Sequence, residues 1–97
     1  MRVINADVNN YDDEGRIVFT SGTRKDLEKY GIVPTNGIKL TFYMYDEDNN
    51  GNEDNLIFDG IVQYDELNKR WVAVIDWDDF KHVSDFSPAE LEELGKS

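Results

Sequence analysis

The chain predicts a mainly β protein, a small and strongly bent antiparallel sheet of five to six strands with a short C-terminal helix. Between Ile38 and Tyr45, the residues Ile38, Leu40, Phe42 and Met44 alternate with Lys39, Thr41, Tyr43 and Tyr45, the period of two expected of a strand with one buried face. From Leu56 to Tyr64 the alternation recurs, with Leu56, Phe58, Val62 and Tyr64 on one face and Gly60 among them. A glycine at mid-strand marks a bulge, a bend or the close approach of another backbone, so the sheet is expected to curl there. Trp71 to Ile75 is apolar without a break, which at that length reads as a strand covered on both faces and hence as the central one. Leu40, Phe42, Phe58, Val62, Val72 and Val74 form the expected core.

The remaining elements follow from local signals. Residues 2–8 put Ile4, Ala6 and Val8 on one face, and residues 16–21 contain Ile17, Val18 and Phe19. The polar stretch between them ends in Gly15, so the two strands are expected to form a hairpin. Thr23 as N-cap, with Asp26 three residues on, predicts a helix over 24–30. Gly31 closes that helix at C′ and sets Ile32 against Leu27. Pro34 to Gly37 turn the chain into the first long strand, and 65–69 form the turn between the second and the third, which is expected over 70–76. Residues 76–82 read as a single helical turn and 83–85 as a short closing strand. Ser87 as N-cap, Pro88 at N1, Glu90 at N3 and a Phe86–Leu91 staple predict a helix over 88–94, with Leu91 and Leu94 docked on the sheet. The order from Arg16 to Asp85 is similar in layout to SH3-like barrels, in which one helical turn precedes the last strand. That resemblance implies a barrel and brings no site residues with it.

With 97 residues, 39% of them apolar and 12% aromatic, the chain is expected to fold as a single domain over 1–97. It has no cysteine, which excludes disulfides, thiolate catalysis, iron–sulfur clusters and cysteine-ligated zinc. No apolar run is long enough for a signal sequence or a membrane span, so a soluble, cytoplasmic protein is expected. The net charge of −11, from 21 acids and 10 bases, argues against direct contact with nucleic acid or an anionic membrane and in favour of a basic protein partner.

Few residues carry recognisable chemistry. Asp46, Asp48, Asn50 and Asp54, with Gly51, match positions 1, 3, 5, 9 and 6 of an EF-hand loop, which makes them candidate Ca2+ ligands. The match ends at position 12, where Ile57 replaces the bidentate glutamate. His82, the only histidine, lies four residues after Asp78 and forms half of a metal or acid–base pair. Ser87 is used by capping, and the other serines lack a nucleophile context. Tyr43, Tyr45 and Trp77, with Asp78 and Asp79, form the candidate interface, since aromatics ringed by charge serve as anchors at protein contacts. The expected function is a small acidic, non-enzymatic interaction module that binds a basic protein. Its sharper form is an inhibitor, an immunity-type protein or a DNA mimic. Calcium binding through 46–54, and then an enzyme using His82 with Asp76 or Asp78, are the other readings.

Overall fold

The computed structural model describes residues 3–95, with side chains through 93; the docking expected of Leu94 lies outside the described side chains. Six strands form one mixed sheet curled into a half-barrel. They are β1 (Ile4–Asn5), β2 (Ile17–Val18), β3 (Lys39–Met44), β4 (Leu56–Asp65), β5 (Arg70–Ile75) and β6 (Lys81–His82). Helix α1 (Ser21–Lys29) follows β2, a 3-10 turn (Val83–Asp85) follows β6, and α2 (Pro88–Gly95) comes last. No helix among the described residues is long and apolar enough to cross a membrane.

The three long strands form the expected antiparallel meander, but its centre is β4. The order is β1-β3-β4-β5-β2, with β6 paired to β4. The hairpin expected between the first two strands does not form: β1 runs parallel to β3, and β2 runs antiparallel to β5 at the opposite edge. Each two-residue strand gains more by laying one isoleucine on an edge of the meander's inner face than by pairing with the other. Ile4 sits opposite Phe42 and Ile17 opposite Ala73, and both isoleucines are 1% exposed.

The inner face is the core: Ile4, Ile17, Phe19, Phe42, Phe58 and Val62 pack there with Leu27 of α1. Of the six expected core residues, Phe42, Phe58, Val62 and Val72 are buried and Leu40 is partly buried, while Val74 is 45% exposed. Val74 points to the outer face, where its cross-strand partner Ile61 is also open to solvent. At Gly60 the chain is paired on both sides, with Leu40 of β3 and Ile75 of β5. A Cβ there would stand 3.0 Å from the Phe42 ring and from Ile75, and 3.1 Å from the Ala73 methyl. The expected close approach is therefore made by side chains filling the space that glycine leaves.

Helix α1 starts three residues earlier than expected. Thr20 is its N-cap: its hydroxyl accepts from the Thr23 amide (3.2 Å), and the Thr23 hydroxyl accepts from the Thr20 amide (3.1 Å). Asp26 instead accepts the Asn5 amide at 2.8 Å and ties α1 to β1. The other end is as expected: Gly31 has φ +67°, and the Ile32 amide donates to the Leu27 carbonyl at 2.8 Å. Ser87 and Glu90 also cap α2 reciprocally, at 3.0 and 3.2 Å. After β5 two elements are exchanged. Residues 76–79 form a tight turn closed by the Asp79 amide on the Asp76 carbonyl, the closing strand is Lys81–His82, and 83–85 is the helical turn. Asp85 stabilises that turn by accepting the His82 amide at 2.9 Å.

Replacing Gly60 with alanine inserts a methyl into filled space. It is expected to lower the unfolding free energy by about 1–3 kcal/mol in urea titrations, with an unchanged denaturant slope.

Candidate functional site

The turn at 76–79 places Trp77, Asp78 and Asp79 together on the surface. Trp77 is 42% exposed yet fixed in orientation, because its indole N–H donates to the Gly15 carbonyl at 2.8 Å. Its ring meets Tyr11 edge to face on one side and Phe80 on the other, both at 5.6 Å between centroids. The chain of rings continues inward from Phe80 to Phe58 (5.0 Å) and from Phe58 to Phe42 (5.6 Å). An exposed aromatic pair is thereby rooted in the core.

The other half of this surface is the 11–17 turn, and Arg16 builds it. The Arg16 guanidinium bonds Asp12 (2.8 Å), Glu14 (2.8 Å) and the side-chain oxygen of Gln63 (3.1 Å), with Asp65 at 3.5 Å. Asp12 in turn accepts the amides of Glu14 and Arg16. Gly15 closes the turn at φ +75°, a conformation that side chains disfavour, and a Cβ there would meet the Trp77 nitrogen at 3.3 Å. Arg16 is thus committed to the fold, whereas the exposed carboxylates of Asp13, Asp78 and Asp79 form no ion pair among the described residues.

The expected interface does not come together as one patch. Tyr43 is half-buried in a cleft with Asp26 and Lys29 of α1 and the C-cap residue Tyr30, and no ring contact or shared cavity links it to Trp77 among the described residues. Tyr45 is exposed, but its hydroxyl donates to Glu47, which raises the phenol above its ordinary pKa. Tyr11, Gly15 and Phe80 were not among the sequence candidates. Only the polar turn ending in Gly15 hinted at them, since the contact from Gly15 to Trp77 spans 62 residues.

The 46–54 hairpin uses its carboxylates in hydrogen bonds within the chain, at the surface. Asp48 accepts the Asn50 and Asn52 amides at 2.8 and 2.9 Å, bonds that hold it below the usual carboxylate range. Asp54 accepts the amide and hydroxyl of Ser84, at 2.9 and 2.7 Å. Asp46 lies 2.8 Å from His82 Nε2, so the histidine is engaged 36 residues away and not with Asp78. The side chains of Asp46, Asp48 and Asp54 thus turn to different partners, His82, the Asn50 and Asn52 amides, and Ser84. No group of three or more His, Asp or Glu side chains among the described residues is placed to hold a metal.

His82 and Asp46 form a clasp that binds the hairpin to β6. The hydrogen bond to Asp46 raises the His82 pKa above its ordinary 6.5, and the charges of Asp54 and Asp85 add to this. The same bond lowers Asp46. A raised histidine pKa stabilises the fold below about pH 6.5, and this contribution is lost as pH rises through the folded-state value. The lowered Asp46 acts in the opposite sense, its contribution being lost in acid, so the clasp is strongest between the two titrations. The stability difference between the native chain and His82→Gln is therefore expected to be larger near about pH 5.5 than near about pH 8.5 in thermal melts. In NMR titration His82 should titrate above 6.5, and Asp46→Asn should move it down. No known protein family matches the chain, and neither a curated protein nor a solved structure matches it.

Proposed function

We propose that this chain is a non-enzymatic interaction module that binds a basic protein through the Tyr11–Trp77 surface. The observation that carries the reading is the exposed ring pair, fixed by the Gly15 carbonyl and by Phe80, on the two turns that also carry the exposed carboxylates of Asp13, Asp78 and Asp79. A tryptophan already held in place loses little conformational freedom on binding, the property that makes such residues energetic anchors. The free carboxylates steer a cationic surface toward it and set specificity more than affinity. A guanidinium or ammonium group that reaches the rings gains cation–π attraction with carboxylates beside it. A partner whose cationic site is blocked in this way would be inhibited, which is the immunity-type form of the same reading.

The test uses a fluorescent arginine-rich peptide as probe, followed by anisotropy. Binding is expected to weaken steeply with added salt, and Tyr11→Ala with Trp77→Ala, which leaves the net charge unchanged, should weaken it by about tenfold or more. Val33→Ala, in the exposed loop after α1, should leave it unchanged. Equal binding by the double variant would mean that the peptide senses only bulk charge and would remove the assignment of this surface.

A further inference from the structure

The tip of the 46–54 hairpin shares no residue with the Trp77 surface. The chain holds two Asn–Gly pairs, Asn36–Gly37 and Asn50–Gly51, and all four residues are exposed. A glycine leaves its own amide nitrogen open to the side chain of the asparagine before it, because it carries no Cβ to obstruct the approach. We infer that Asn50 is a site of spontaneous modification, converting to aspartate and isoaspartate in the folded chain, whereas Asn36 is protected by the sheet.

In this reaction the Gly51 amide nitrogen attacks Asn50 Cγ. The bond from Cγ to Nδ2 breaks, and ammonia leaves with the proton that the Gly51 nitrogen gives up. The product is a cyclic succinimide. Water then opens the ring at Cγ to give aspartate, or at the Asn50 main-chain carbonyl to give isoaspartate, in which the backbone runs through the side chain. Water is the only other reactant.

Exposure does not distinguish the two pairs, but their hydrogen bonds do. At Asn36 both reacting groups are held: the side-chain oxygen accepts the Tyr64 amide at 2.7 Å, and the Gly37 amide donates to the Val62 carbonyl at 2.8 Å. Tyr64 and Val62 belong to β4, the centre of the sheet, so freeing this pair means disturbing the most stable part of the fold. The Asn50 side-chain amide has no hydrogen-bond partner among the described residues, and the Gly51 amide donates only within its own turn, to the Asp48 carbonyl at 3.1 Å. Below that turn Glu47 stands opposite Glu53, and like charges across a strand pair weaken it. Such a tip opens locally at small cost, which frees the Gly51 nitrogen. Isoaspartate then adds a methylene to the main chain of the 49–51 loop, and the bond from the Asp48 amide to the Asn52 carbonyl, 2.9 Å in the native turn, no longer closes it in the same way.

The full chain is incubated at neutral pH beside the free peptide of residues 47–53, and both are followed by peptide-mapping mass spectrometry. Asn50 is expected to gain the mass of an NH2-to-OH exchange on the time scale of the free peptide, and Asn36 to convert at least about tenfold more slowly than Asn50. In urea the difference between the two sites should vanish. Asn50→Gln should abolish conversion at the tip and leave the slow rate at Asn36 as it is. Conversion of Asn36 as fast as Asn50 in the folded chain, or an unchanged Asn50 while the free peptide converts, would overturn the assignment.

Discussion

Phe42 lies against Phe58 because Gly60, beside them on the inner face of β4, leaves the space its ring occupies. The two rings are nearly parallel, at 22°, and Phe42 is wholly buried. Gly60 is also the residue at which β4 is paired with β3 and β5 at once. Curvature, core filling and sheet continuity therefore depend on one missing side chain. The same packing sets the position of Phe58, and Phe58 meets Phe80 edge to face at 5.0 Å. Edge-to-face pairs contribute on the order of 0.5–1.5 kcal/mol beyond area burial, enough to hold a turn that makes little backbone ladder of its own. The surface placement of Trp77 is in this sense a consequence of what happens at Gly60.

Net charge overstates how much of the acidity faces outward unpaired. Asp12, Asp26, Asp48, Asp54 and Asp85 each accept a backbone amide, and Asp12 and Asp65 share the Arg16 guanidinium. Carboxylates acting this way satisfy N–H groups that two-residue strands and tight turns leave without ladder partners. The acid-rich composition is thus partly a structural device that allows a sheet with such short edges. What remains for recognition is a smaller set, and Asp13, Asp78 and Asp79 are the members carried on the turns that hold the exposed rings.

The parts of the fold legible in the sequence are those fixed by near neighbours. The alternation in 38–45 and 56–64, the Ser87–Glu90 cap and the Gly31 closure each depend on residues within one strand or one turn, and each is found in place. The partners of β1 and β2 were not legible, because two-residue strands carry no register information and their places are set by the burial that the meander's edges offer. Thr20 and Thr23 are the same residue type three apart, so both fit a cap locally, and it is Asn5 drawing on Asp26 that leaves Thr20 the cap. The candidate surface was half legible. Trp77, Asp78 and Asp79 stand out among acids, but Tyr11 and Gly15 join them only through tertiary contact, just as Asp46 joins His82.

The 46–54 hairpin and the Trp77 turn are mechanically in series through β6. The Trp77 turn is fixed on one side by β5, which pairs with β4 over six residues, and on the other by β6, which pairs with β4 at Leu56 and Ile57 alone. A two-residue strand at a sheet margin is weak by itself. Its hold is reinforced by His82 on Asp46, by Ser84 on Asp54 and by the Val83 amide on the Asn55 carbonyl at 2.9 Å. All three reinforcements come from the start and end of the hairpin that reads as a calcium loop. The carboxylates of that hairpin thus have a physical role without metal: they anchor the strand from which the aromatic surface is suspended. Spacing along the chain suggested a ligand set, whereas the three-dimensional arrangement makes these groups part of the frame.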